Sequence, residues 1–294
     1  MGKTTIGWTD ETWNPVTGCD KVSRGCKNCY AGQLAETRLK HTDAYKNGFF
    51  GNVIMHYSRL SQPLKWTKPR MIFVDSMGDL FHEQVPFPFI DDVFHVMAKA
   101  SQHTFQILTK RPDRALDWSM SAPQRQARSR EPYKNWPLPN VWMGTSCEDQ
   151  KSYNLRAGVL VQIPAVVRFL SLEPLVGPIK LKRRFGFNKY GYYFHGNLPE
   201  DGIHQVIVGG ESGHKAVPMR PDWARSIRDE CKEFDIPFFF KQWGQWAPND
   251  YEALEAGRKY RRLDEKNFAC MVGKKKAGRM LDGVEHNGYP KLNL

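Results

Sequence analysis

The sequence has no apolar run long enough to cross a membrane, so no transmembrane protein is expected. It also has no apolar core behind its first residues. Met1-Gly2-Lys3-Thr4-Thr5 leads into polar Trp8-Thr9-Asp10-Glu11, so no secretory signal is expected, and Ile6 breaks the myristoylation pattern. These absences point to a cytoplasmic protein, in which thiols stay reduced and clustered cysteines mean metal or redox chemistry in place of a disulfide framework. Acidic residues are in deficit: 31 Asp and Glu face 43 Lys and Arg, for a net charge of +12. That balance favours an anionic partner such as nucleic acid. Part of the excess sits in runs, Lys180-Leu181-Lys182-Arg183-Arg184, Arg258-Lys259-Tyr260-Arg261-Arg262 and Lys274-Lys275-Lys276, which also suit a solvated face.

Cysteine is scarce, six in 294 residues, yet three fall within eleven as C-x6-C-x2-C at Cys19, Cys26 and Cys29. A C-x2-C pair brings two thiolates to one centre, and the longer arm, with Gly18 and Gly25 in it, can fold the third onto the same centre. Three thiolates on one loop suit a four-iron, four-sulfur cluster that keeps one iron open for a substrate. The alternative is a structural zinc site, closed by a distant fourth ligand: Cys147, Cys231, Cys270 or a histidine.

Behind this loop a rhythm of strand, polar loop and helix begins. Residues 1–18 read as an extended first strand, and Tyr30, Leu34 and Ala35 put a helix after the cysteines. Met71–Val74, Phe105–Leu108, Val141–Gly144, Val166–Leu170, Val206–Val208 and Pro237–Phe240 are apolar runs too short for helices and without clean alternation, as strands covered on both faces are. Phe89, Ile90, Val93, Phe94 and Met97 follow Pro86 and Pro88 at helical spacing. Trp223, Ile227 and Cys231 do the same behind Pro221 and Asp222.

About six or seven such units predict a complete or partial parallel β/α barrel, with a doubly wound open sheet as the alternative. Residues 1–245 form the barrel-like domain, with insertions near 119–140 and 180–204. The second insertion pairs its basic run with Tyr190-Gly191-Tyr192-Tyr193-Phe194. Residues 246–294, where the rhythm stops, are read as a short C-terminal appendage packed on the barrel. In either fold the loops after the strands share one end of the sheet, where sites form. They carry Asp75, Ser76, Asp79, Lys110, Arg111, Ser146, Glu148, Glu173, Gly209, Gly210, Glu211 and Lys241. Each acid alone also suits a helix cap or an ion pair.

The stretches Asp75-Ser76-Met77-Gly78-Asp79-Leu80-Phe81-His82-Glu83, Leu108-Thr109-Lys110-Arg111-Pro112, Arg168-Phe169-Leu170-Ser171-Leu172-Glu173-Pro174-Leu175, Val208-Gly209-Gly210-Glu211-Ser212-Gly213 and Phe238-Phe239-Phe240-Lys241-Gln242-Trp243-Gly244 resemble the phage and prophage three-cysteine-motif family, which has no established activity. Its cysteine motif is similar to that of the radical S-adenosylmethionine enzymes, whose fold is also barrel-like. Here the first gap is six residues in place of three, and Ser76-Met77-Gly78-Asp79 stands where those enzymes carry a Gly-Gly-Glu-like turn. The resemblance implies an iron-sulfur cluster on Cys19, Cys26 and Cys29, with S-adenosylmethionine on the open iron. It implies Asp79 or Asp75 for the amino group and Lys110 or Arg111 for the carboxylate. Ser146, Glu148, Glu173 or Glu211 would face the ribose or the substrate; the +12 balance, and not the resemblance, favours nucleic acid or a nucleotide as the molecule modified.

Two other functions fit the residues. One is a zinc-stabilised nucleic-acid-binding protein without catalysis. The other is a metal-dependent phosphodiester hydrolase with magnesium or manganese on Asp75, Asp79, Glu148, Glu173 and Glu211. A protein partner and the oligomeric state are not legible.

Overall fold

The computed structural model describes residue 4 and residues 6–127, 132–182 and 202–291. Arg183, Arg184 and Tyr190–Phe194 of the second expected insertion lie outside the described residues, as do residues 128–131 of the first. In chain order the elements are β1 (Glu11–Trp13), β2 (Val16–Thr17), α1 (Tyr30–Glu36), β3 (Ile54–Met55), β4 (Met71–Val74), α2 (Phe87–Lys99), β5 (Thr104–Thr109), α3 (Pro112–Ala127), β6 (Val141–Ser146), α4 (Gln150–Leu160), β7 (Val167–Leu172), β8 (Gln205–Gly209), α5 (Pro221–Glu233), β9 (Phe238–Gln242), β10 (Trp246–Pro248), α6 (Tyr251–Glu255), β11 (Tyr260–Arg262), β12 (Phe268–Met271) and α7 (Lys274–Ala277), then two further short strands.

Seven strands form one sheet in the order β1-β4-β5-β6-β7-β8-β9. The pairings of β1 with β4, β4 with β5, β5 with β6, β7 with β8 and β8 with β9 are all parallel. The order follows the chain without reversal, so there is no switch point of the kind that defines a doubly wound sheet. It also ends at β9 without returning to β1, which makes the fold a partial parallel β/α barrel. No helix among the described residues is long and apolar enough to cross a membrane.

The chain divides into two compact units. The first comprises Met1–Val22, Ala31–Thr145 and Gly158–Arg168. Its central strands are buried, Ile72 and Val74 of β4 and Phe105 and Ile107 of β5 showing no exposure. In α2, Phe89, Ile90, Val93, Phe94 and Met97 form one apolar stripe, so the helix is held by its packed face. Burial of each such side chain stabilises by about 1.5–3 kcal/mol. α3 continues through Pro123, so residues 119–127 of the expected first insertion are helical.

The second unit comprises Ser23–Tyr30, Ser146–Ala157 and Phe169–Leu294. All five residues of β8 are buried, and α5 starts on Pro221 with Ala224, Ile227 and Cys231 on its buried stripe. Residues after Trp246 form an antiparallel sheet of order β10-β12-β11. The tail then lies along β9: the Trp243 indole donates to the Met280 carbonyl at 2.8 Å, and Phe239 stands edge-on to Tyr289.

Candidate functional site

The predicted polar residues follow, or sit at, the C-terminal ends of their strands: Asp75 after β4, Lys110 after β5, Ser146 on β6, Glu173 after β7, Gly209 on β8 and Lys241 on β9. In the first unit, Asp79 is the centre of an ion network. Its Oδ1 accepts from the Thr109 hydroxyl at 2.7 Å and from Phe81 N at 3.1 Å, and its Oδ2 from Lys110 N at 3.3 Å and Arg111 Nη1 at 3.1 Å. The pair is nearly sealed from water, with side-chain exposures of 6% for Arg111 and 5% for Asp79. Such burial is tolerable because each lone pair has a donor.

Arg111 carries the network to the cysteine loop. Its Nε donates to both oxygens of Glu83 at 2.9 and 2.8 Å, and Nη1 stands 3.6 Å from Cys19 Sγ. Burial works against the guanidinium charge, but Asp79, Cys19 and Glu83 outweigh it and hold the Arg111 pKa above its ordinary value. Burial pushes the Glu83 pKa up, and its own backbone N–H with the Arg111 charge more than reverses this, leaving it below the usual range. The residue after Cys19 is held too. Gln84 N donates to His82 Nδ1, so Nε2 bears the proton and donates to Asp20 Oδ2 at 3.1 Å, while Asp20 Oδ1 accepts from Gly51 N at 2.9 Å. His82 and Glu83 end the stretch that begins at Asp75, and Asp20 adjoins Cys19; nothing in their spacing marks them as clamps.

Glycine is required at the entry to this loop. Gly18 has φ +85°, and a Cβ there would lie 1.9 Å from the Asn52 carbonyl oxygen. Gly18 N donates to the Met77 carbonyl at 3.0 Å, and Cys19 N to Phe49 O at 3.2 Å. Two predicted residues turn elsewhere. Asp75 adopts φ +56°, takes Val16 N on Oδ1 at 2.8 Å and leaves Oδ2 buried without a hydrogen-bond partner among the described residues. Burial, with the Asp79 charge adding, pushes its pKa well above the carboxylate range against the Val16 N–H and Arg59. Ser76 donates to Asn14 Oδ1 at 3.2 Å.

The second unit holds the rest. Cys26 is buried at the end of a short turn of 3-10 helix over Arg24–Cys26, and Cys29 is partly exposed just before α1. Gly25 lies so close to Glu148 that a Cβ would stand 3.2 Å from Glu148 Cβ and Cδ, and Asn28 Nδ2 donates to the Lys215 carbonyl at 3.0 Å. Arg156 Nη1 donates to Glu148 Oε2 at 3.0 Å and to the Ser146 carbonyl at 2.8 Å. Glu173 accepts from Lys241 Nζ at 2.6 Å and Gln242 Nε2 at 3.1 Å, with Gly209 against its carboxylate. Glu211 turns back on its own loop to accept from Val217 N at 2.8 Å, and a Cβ on Gly210 would meet the Trp243 carbonyl oxygen at 2.0 Å.

None of the six cysteines is in a disulfide. Cys147 is buried after β6, Cys231 is in the α5 stripe with burial pushing its pKa far up, and Cys270 is in β12 with its thiol toward the Asp250 carbonyl at 3.5 Å. Among the described residues no three His, Cys, Asp or Glu side chains converge as a ready-made metal site. The donors on the Gly18–Tyr30 loop nonetheless fit a thiophilic metal group in kind: three thiols outside any disulfide, one of them 3.6 Å from a fixed guanidinium.

A family model described as "Protein of unknown function (DUF5131)" matches residues 3–290. No curated protein and no solved structure matches the chain.

Proposed function

The chain belongs to the family of proteins of unknown function DUF5131, whose description carries no activity, and from that premise we propose that it is an iron-sulfur enzyme of the radical S-adenosylmethionine type. The phage and prophage resemblance of its motifs agrees with this reading. The single observation that carries it is Arg111 Nη1 at 3.6 Å from Cys19 Sγ, within a network that fixes the guanidinium. A free thiol in a packing role has no use for a buried cation, whereas a metal-binding thiolate does. Cys19, Cys26 and Cys29 would hold the cluster. When bound, it supplies the electron that cleaves the sulfonium of S-adenosylmethionine.

The chain's own residues divide the remaining work. Asp79 accepts from four donors, so its part is to seat Arg111. Arg111 is committed to Asp79, Glu83 and Cys19, which leaves the Lys110 ammonium to meet the methionine carboxylate. Glu173 and Lys241, the more open pair with side-chain exposures of 18% and 12%, would serve the ribose or the substrate. The positive balance of the chain supports a nucleotide or nucleic acid as that substrate.

Protein purified without oxygen should be brown, with about four irons and matching sulfide per chain. Cys19→Ala, Cys26→Ala and Cys29→Ala should each remove the colour, and Cys147→Ala and Cys270→Ala should keep it. Stoichiometric zinc with no iron taken up on reconstitution would replace this reading with the zinc-stabilised binding protein. A colourless chain that hydrolyses phosphodiesters with manganese would replace it with the hydrolase.

A further inference from the structure

We propose that β11, together with Tyr251 of α6, is a binding face for single-stranded nucleic acid. Every residue from Ala256 to Arg262 is exposed, and four of the seven are Arg258, Lys259, Arg261 and Arg262. None of these four has a carboxylate partner among the described residues. Arg262 reaches only the Glu265 main-chain carbonyl, at 3.4 Å, and Arg261 stands over the Trp246 ring at 5.6 Å. Two acids of this module are already committed: Asp250 caps α6 by accepting from Ala253 N at 2.9 Å, and Asp264 pairs with Arg220 at 3.0 Å. Glu252 and Glu255 lie on α6, so phosphates would track β11 in preference to that helix.

The strand register puts rings beside these cations. Tyr260 pairs with Cys270 and Arg262 with Phe268, so Tyr260, Arg262 and Phe268 share one face of the sheet. Tyr251 stands edge-on to Phe268 at 4.9 Å on that face. Tyr251 and Tyr260 are 62% and 58% exposed, so two solvent-exposed tyrosine rings accompany an arginine that has no carboxylate partner among the described residues. Exposed rings alternating with cations suit unpaired bases on a phosphate backbone. A duplex is disfavoured, because β12 is the middle strand with Ala269 and Cys270 buried; the β11–β12 hairpin is thus not a free ribbon that could enter a groove.

This inference takes its substrate class from the proposed function, but the binding is measured on the cluster-free full chain, so the two fail separately. The probe is a fluorescein-labelled oligothymidylate followed by anisotropy across a salt series. Tyr260→Ala should weaken binding roughly fivefold or more with an unchanged salt slope, and Tyr260→Phe should retain it. Arg258→Gln, Lys259→Gln and Arg262→Gln together should lower the slope by about 0.7 for each phosphate no longer neutralised. The same removal of three charges at Lys274, Lys275 and Lys276 on α7 should change the slope less. Equal weakening by the two triple variants with no effect of Tyr260→Ala, or polyglutamate bound as tightly as the oligonucleotide, would overturn the proposal.

Discussion

Asp79 with Arg111 and Glu173 with Lys241 look alike in sequence: an acid and a base, each just past an apolar run. In the fold they differ. Asp79 is filled by four donors and its partner also serves Glu83 and Cys19, whereas Glu173 meets Lys241 and Gln242 in a more exposed place. The first pair holds a guanidinium beside a cysteine, and the second leaves Glu173 with acceptor positions not yet filled. An acid's position at a strand end says where it is, and the number of donors already on it says what it can still do.

Arg111→Met is the strongest way to break this comparison. It leaves the buried Asp79 carboxylate without its cation and should cost about 3–5 kcal/mol in urea unfolding. Gly25→Ala comes next: a Cβ 3.2 Å from Glu148 forces either the loop or the acid to shift, at about 1–3 kcal/mol, and should lower iron uptake with it. Lys241→Met should cost less, about 1–2 kcal/mol, since water reaches its pair, while weakening ligand binding in calorimetry. If Lys241→Met destabilises as much as Arg111→Met, the two pairs do not differ in kind.

The smallest effect concerns Asp75. Its folded pKa is raised by burial, so the stability it contributes is fully present below the unfolded value near 3.9 and is lost as pH rises through the folded value. The loss cannot exceed about 1.4 kcal/mol per pH unit. Asp75→Asn should flatten urea stability across that window, and an unchanged pH profile would mean that Asp75 is not the group responsible.

The barrel was legible because β4, β5, β6 and β8 are buried on both faces and so read as short apolar runs ending in polar loops. The appended sheet was not, because β10 and β11 are three residues long and β11 is fully exposed, without a pattern to detect. The cysteine loop was legible by spacing, but its clamps were not: Glu83 and His82 reach Arg111 and Asp20 through side-chain contacts 28 and 62 residues apart in the chain. The same limit hid the saturation of Asp79, whose donors Thr109 and Arg111 come from the next strand and its loop.

The central claim is that the Gly18–Tyr30 loop holds a cluster with one iron open to S-adenosylmethionine. Electron paramagnetic resonance of the anaerobically prepared, dithionite-reduced chain tests it most directly. The account predicts a reduced four-iron signal that shifts when S-adenosylmethionine is added and is absent from Cys19→Ala. A chain that carries zinc and gives no signal, or a cluster signal that persists in Cys19→Ala and ignores S-adenosylmethionine, would contradict it.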